Sequence, residues 1–236
     1  MSATLTLLAI AGYGLSAVAY LGLAILIVAS GRRRPQGRLL VLAIVLTSVW
    51  GVASALTAAG GLEPRLALAA EVVRNGAWLG LLLYILKLRL PPGARLPQPL
   101  QLIRILAALL AVALLLSIVL PLFAPDQAYV AQWALNLGLV LLALIGLVLV
   151  EQLYRGTRVE DRWSIKFLCL GLGGLFVYDF YLYANGALFR VLDAETWIAR
   201  GYVVALIAPL IAVSAARNPQ WASPVGLSRS MAFHSA

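Results

Sequence analysis

Histidine, cysteine and lysine are almost missing from this 236-residue sequence, and their scarcity removes several functions at once. The single cysteine, Cys169, cannot form an internal disulfide and sits in an apolar stretch, where it reads as a packing residue. The single histidine, His234, lies in the C-terminal tail. No Cys/His/carboxylate group has metal-ligand spacing, so no metal site is expected. The two lysines, Lys87 and Lys166, fall at the ends of apolar runs rather than mid-helix, and a retinal Schiff base is therefore not expected. No glycine cluster runs into Gly-Lys-Ser/Thr, which excludes a phosphate-binding loop. No serine, cysteine or histidine is paired with a base at a polar site, so no catalytic residue is assigned.

Charge of either sign is also scarce. Only 11% of residues are charged while 63% are hydrophobic, and the mean hydropathy is +0.96, too apolar for a domain that folds in water. The apolar residues fall in runs of roughly 20, which at about 1.5 Å per residue match the roughly 30 Å hydrocarbon core of a bilayer. The expected fold is all-α, a polytopic membrane protein forming a seven-transmembrane-helix bundle in direct contact with lipid. The expected spans are 5–30, 39–60, 66–88, 101–123, 129–153, 165–189 and 198–217, making 1–217 the membrane domain and 218–236 an exit segment. The first span reads as a retained helix rather than a signal peptide, because it lacks a basic leader and arginines follow it.

The net charge of +9 sits at helix ends rather than along a polar stripe, so nucleic-acid binding is not expected. Fourteen of the 18 Lys and Arg residues, from the Arg32-Arg33-Arg34 run to Arg217 and Arg229, flank one side of the spans. Arg65, Arg190 and Arg200 flank the other, and Arg74 lies within a helix. By the positive-inside rule the N-terminus is expected outside and the C-terminus in the cytoplasm. Small residues such as Gly12, Ser16, Gly171 and Gly174 are expected where helices approach closely, and Pro121 and Pro209 are expected kink sites.

Ionisable groups inside the spans need compensation, since each costs roughly 2.5–3.5 kcal/mol at mid-bilayer. Glu71 and Arg74 are three residues apart and can pair on one face of helix three, with Asn75 and Trp78 beside them. Arg74 and Asp179 lie at similar depths, roughly 12 and 15 Å from the same side. Gln132, Asn136, Tyr178, Tyr183, Trp50 and Tyr13 fall at comparable levels. Two readings follow: an interhelical packing network, or a ligand pocket open to the outside. Glu71, Arg74 and Asp179 sum to −1, so if they meet, either Asp179 is protonated or a further cation such as Arg200 or a ligand joins them.

The stretches Arg162 to Arg190 (RWSIKFLCLGLGGLFVYDFYLYANGALFR) and Ala199 to Trp221 (ARGYVVALIAPLIAVSAARNPQW) resemble the N-terminal membrane module of sensor histidine kinases of the PEP-CTERM (exosortase-associated) system, the PrsK type. The pairs Tyr178-Asp179 and Asn218-Pro219-Gln220-Trp221 carry the resemblance. It implies a bacterial inner-membrane receptor linked to exopolysaccharide production, with a GAF domain and a kinase core in the cytoplasm and a response regulator as partner. ATP and magnesium would bind that kinase core and nothing in these residues. The chain reads as the sensor module without those domains, and His234 lacks the acidic neighbour of a phosphoacceptor. A homodimer is expected on the same ground. Asn218, Pro219 and Trp221 are then the expected signal exit. A small transporter and a passive membrane anchor are the competing functions, although helices one to three and five to seven share no matching broken helices.

Overall fold

Where the seven apolar runs begin and end is set by prolines and short polar caps. The computed structural model describes residues 2–30, 35–91, 93–120, 123 and 128–218, the side chains of 128–132 and 161 excepted. The helices are α1 (Ala3–Ala29), α2 (Pro35–Ala58), α3 (Pro64–Leu88), α4 (Gln98–Val119), α5 (Ala128–Arg155), α6 (Arg162–Phe189) and α7 (Ala194–Arg217). Pro64 opens α3 in the first turn, where its missing N–H has no partner to lose. Ser2 caps α1 by accepting from the Leu5 amide, and Asp193 caps α7 by accepting from Thr196. At the end of α2, the Gly61 amide reaches the Leu56 carbonyl and the Gly60 amide reaches that of Thr57, with Gly60 at φ 75°. This closure needs a left-handed residue, which glycine adopts without strain.

All seven helices are long and apolar enough to cross a membrane, so the chain is a seven-span helical bundle. The expected spans differ at their ends. Helices one, two, three, four, six and seven begin two to four residues earlier than apolar content indicated, because polar and proline-containing first turns belong to them. The fourth ends at Val119 rather than 123. Pro121, Pro219 and Trp221 lie outside the described residues. Pro209 lies inside α7.

Six helices form a closed ring in which α1 packs on α2, α2 on α3, α3 on α5, α5 on α6, α6 on α7 and α7 on α1. The fourth helix packs outside it against α3 and α5, burying only Ala107, Leu114 and Ile118. The two smallest residues at one crossing let α1 and α7 meet: a Cβ on Gly201 would lie 2.6 Å from the Gly12 carbonyl carbon. A Cβ on Gly171 of α6 would lie 3.2 Å from side-chain atoms of Ile207 and Ile211 of α7, a looser approach, and one on Gly174 would be at ordinary contact distance.

Polarity is inverted relative to a water-soluble protein. Leu7, Leu15, Val18, Ile25, Leu109 and Leu206 are among the exposed side chains, while Ser16, Thr47, Ser54, Glu71, Arg74, Asn75, Asp179 and Arg200 are buried. Lipid accepts the apolar exterior, and the polar groups satisfy one another inside.

Candidate functional site

Arginine and carboxylate side chains long enough to cross the ring converge at its centre, within the half nearer the arginine-poor end. Glu71 and Arg74 come from α3, Asp179 and Tyr183 from α6, and Arg200 from α7; all are between 0 and 3% exposed. From the helix ends, Arg74 and Asp179 each lie about 15 Å deep and Arg200 about 9 Å. None of α3's ring neighbours is α6 or α7, so these side chains span the interior rather than a helix seam.

The pairing is crosswise. Arg74 Nη2 donates to Asp179 Oδ2 at 2.8 Å. Arg200 Nε donates to Asp179 Oδ1 at 2.9 Å, and its Nη2 lies 2.7 Å from the same oxygen. The fork of Arg200 also takes Glu71, Nη1 to Oε2 at 2.9 Å and Nη2 to Oε1. Tyr183 donates its hydroxyl to Glu71 Oε1 at 2.6 Å and accepts from Arg200 Nη1 at 3.1 Å. Asn75 Oδ1 accepts from Arg74 Nε and Nη2. Trp50 of α2 lies under both guanidinia, 4.0 Å from Arg74 Cζ and 4.8 Å from Arg200 Cζ. Two cations and two carboxylates make the quartet neutral, so the further cation that the charge sum called for is Arg200. Within the quartet, Arg74 Nη1 is the polar atom without a hydrogen-bond partner among the described residues.

Two expected arrangements do not hold in the fold. Glu71 and Arg74 form no ion pair along α3, because the bidentate fork of Arg200 takes the Glu71 carboxylate and Arg74 reaches across to α6. Arg200 is no flanking residue, since α7 begins at Ala194 and carries it inward. Trp78 and Tyr178 make their hydrogen bonds outside the quartet. Trp78 Nε1 donates to Thr47 Oγ1 at 3.0 Å, tying α3 to α2. The Tyr178 hydroxyl donates to the Thr196 carbonyl at the start of α7. Asn136 is buried beside Gly186 of α6. The Gln132 side chain lies outside the described residues. Along the sequence, Trp50 and Tyr13 share only a depth with the charged residues. In the fold, Tyr13 packs edge-on against Trp50 and donates to the Trp197 carbonyl at 2.6 Å. Aromatic residues at the level of charged ones on other helices were the available signal.

At the opposite, arginine-rich end, Asn218 is 8% exposed and donates to the Ser164 carbonyl at 3.0 Å, fixing the end of α7 to the start of α6. Beside it lies a polar cavity of about 340 Å³ lined by Gln36, Arg89, Thr157, Arg158, Ser164 and Asn218, among others. Neither this cavity nor the apolar groove between α4 and α5 is lined by the quartet. No cluster of three or more His, Cys, Asp or Glu residues fit to hold a metal occurs among the described residues.

Fold and site together define a class, a seven-helix membrane bundle whose interior is locked by a neutral Arg/carboxylate quartet. No protein-family model, curated protein or solved structure matches this chain.

Proposed function

We propose that this bundle is the signal-input module of a bacterial inner-membrane sensor histidine kinase of the exosortase-associated type, with its N-terminus outside and its C-terminus directed to cytoplasmic kinase domains. The observation that carries this reading is that α7 bears Arg200 near one end and is capped at the other by Asn218. The two residues are 18 apart, or about 27 Å along one helix. Near its first turns α7 is held to α3 and α6 through Glu71 and Asp179, and at its exit to α6 through Ser164. A stimulus that favours a different partition of Arg200 between its two carboxylates moves the helix that leads to the output domains. Such a stimulus acts only through its differential affinity for the two arrangements.

The test is a chimera of this chain with the GAF and kinase domains of a family member, carrying Arg74→Gln, Asp179→Asn or Arg200→Lys and assayed for autophosphorylation in membrane vesicles. Expected is a changed basal rate in at least one variant that still inserts at normal levels. Unchanged autophosphorylation in all three removes the reading.

A second reading, a passive anchor that dimerises its kinase, is favoured by the burial and near-complete pairing of the quartet. Retained regulation after replacing 1–217 by unrelated membrane helices selects it.

A further inference from the structure

The chain from Val72 to Pro125 contains no acidic residue, yet it carries Arg74, Lys87, Arg89, Arg95 and Arg104. Three of these cations meet in one cavity. The end of α3, the connection after it and the first turns of α4 enclose about 690 Å³, lined by Lys87, Arg95 and Arg104 together with Tyr84 and Gln101. Lys87 belongs to the last turn of α3, Arg104 to the second turn of α4, and Arg95 to the connection, which turns at Gly93 with φ 80°. No carboxylate lines the cavity, and none of the three cations forms an ion pair with a described residue.

Three like charges around one space repel unless an anion joins them. Two guanidinium forks and an ammonium, with a phenol and an amide as further donors, suit the tetrahedral oxygens of a phosphate ester, which arginine binds bidentately and lysine as a point charge. The cavity also lies at the ends of membrane-spanning helices, the level of phospholipid phosphates. Leu102, Ile105, Leu106 and Leu109 of α4 are exposed next to it and offer an apolar surface to acyl chains.

We propose that this cavity is a binding site for a phosphate ester, with an anionic phospholipid headgroup as the occupant its position favours. The site is separate from the quartet and independent of the sensor reading. Each cation contributes about fivefold to the affinity at a membrane surface.

The test uses the full chain in neutral detergent, titrated with phosphatidylglycerol, phosphatidylcholine or inorganic phosphate, with binding read by native mass spectrometry and the thermal unfolding midpoint. Expected is preferential binding of phosphatidylglycerol over phosphatidylcholine, a raised midpoint, and a loss of affinity of about 25-fold in R95Q/R104Q. R95K/R104K should keep most of the affinity. The midpoint of R95Q/R104Q in phosphatidylcholine should equal that of the parent, since both arginines are exposed and neither forms an ion pair with a described residue. A midpoint raised by inorganic phosphate but not by phosphatidylglycerol, and lost in R95Q/R104Q, supports the same phosphate chemistry with a soluble occupant. Equal binding of both lipids with no response to phosphate, or a preference that survives R95Q/R104Q, overturns the proposal.

Discussion

Arg200 of α7 grips Glu71 of α3 through both arms of its guanidinium although the two helices are not packing neighbours. A buried pair of this kind contributes less through its net strength than through what its breakage leaves behind. Removing one partner strands the other charge in a low-dielectric interior, while the intact pair roughly balances its own desolvation.

Asp179→Asn should therefore destabilise the bundle by about 3–5 kcal/mol, since Arg74 would be left buried without its carboxylate partner while Arg200 keeps Glu71. Reversible unfolding in mixed micelles measures the cost. The double variant Asp179→Asn/Arg74→Gln restores charge balance and should cost less than the sum of its singles. Strict additivity would show that the 2.8 Å pair carries no coupling.

Thr47 accepts from the Trp78 indole and donates to the Ala43 carbonyl, entirely buried. Thr47→Val keeps the volume but leaves the indole N–H unpaired, at a cost of about 1–3 kcal/mol. Thr47→Ser retains the hydroxyl and should be milder. Equal losses in the two variants would mean that packing, not the hydrogen bond, sets the cost.

The α1/α7 crossing depends on a missing side chain. Gly201→Ala places a Cβ against the backbone of Gly12 and should cost about 1–3 kcal/mol through overpacking. Gly14→Ala, two residues along α1, meets nothing within 4 Å and should stay within about 0.5 kcal/mol of the parent. Thermal unfolding in detergent compares them, and a tolerated Gly201→Ala would falsify the close approach.

Asp193, outside the membrane spans, has its carboxyl held below the ordinary value of 3.8 by bonds from the Thr196 hydroxyl and amide. A lowered folded value means that its contribution to the start of α7 is complete above the ordinary aspartate range and is lost as pH falls through the lower value. The protection factor of the Thr196 amide, its exchange rate relative to the intrinsic rate at each pH, should fall below that point in the parent. In Asp193→Asn, which keeps a capping acceptor but no titration, protection should be flat across the same acidic range.

Orientation is open to a direct check. With Cys169 replaced by alanine, a single cysteine at Ser2 should react with a membrane-impermeant thiol reagent added to intact spheroplasts, and one at Ser228 only after lysis. Reversed labelling would invert the topology and with it the sensor proposal.

Much of the architecture is local information. Runs of apolar residues, prolines and an aspartate at helix starts, and glycine after α2 declare seven helices, because length and cap chemistry act within a few residues. The imbalance of arginines between the two sets of loops is equally readable. The depth of Arg74 and Asp179 also marked the half of the bundle where polar groups gather.

Which charge pairs with which is a different matter. Glu71 and Arg74 are ideal partners by spacing, and the fold separates them because Arg200, brought in by an early start of α7, offers a two-armed grip across the ring. Trp50 beneath both guanidinia, the exclusion of α4 from the ring, and the meeting of Lys87, Arg95 and Arg104 in one cavity have no sequence period either. The sequence by itself determined seven membrane helices and the level of their polar groups, since hydrophobic length is summed along the chain. Only the tertiary structure decided the partners, since ion pairing depends on distances between helices that no spacing along one of them encodes.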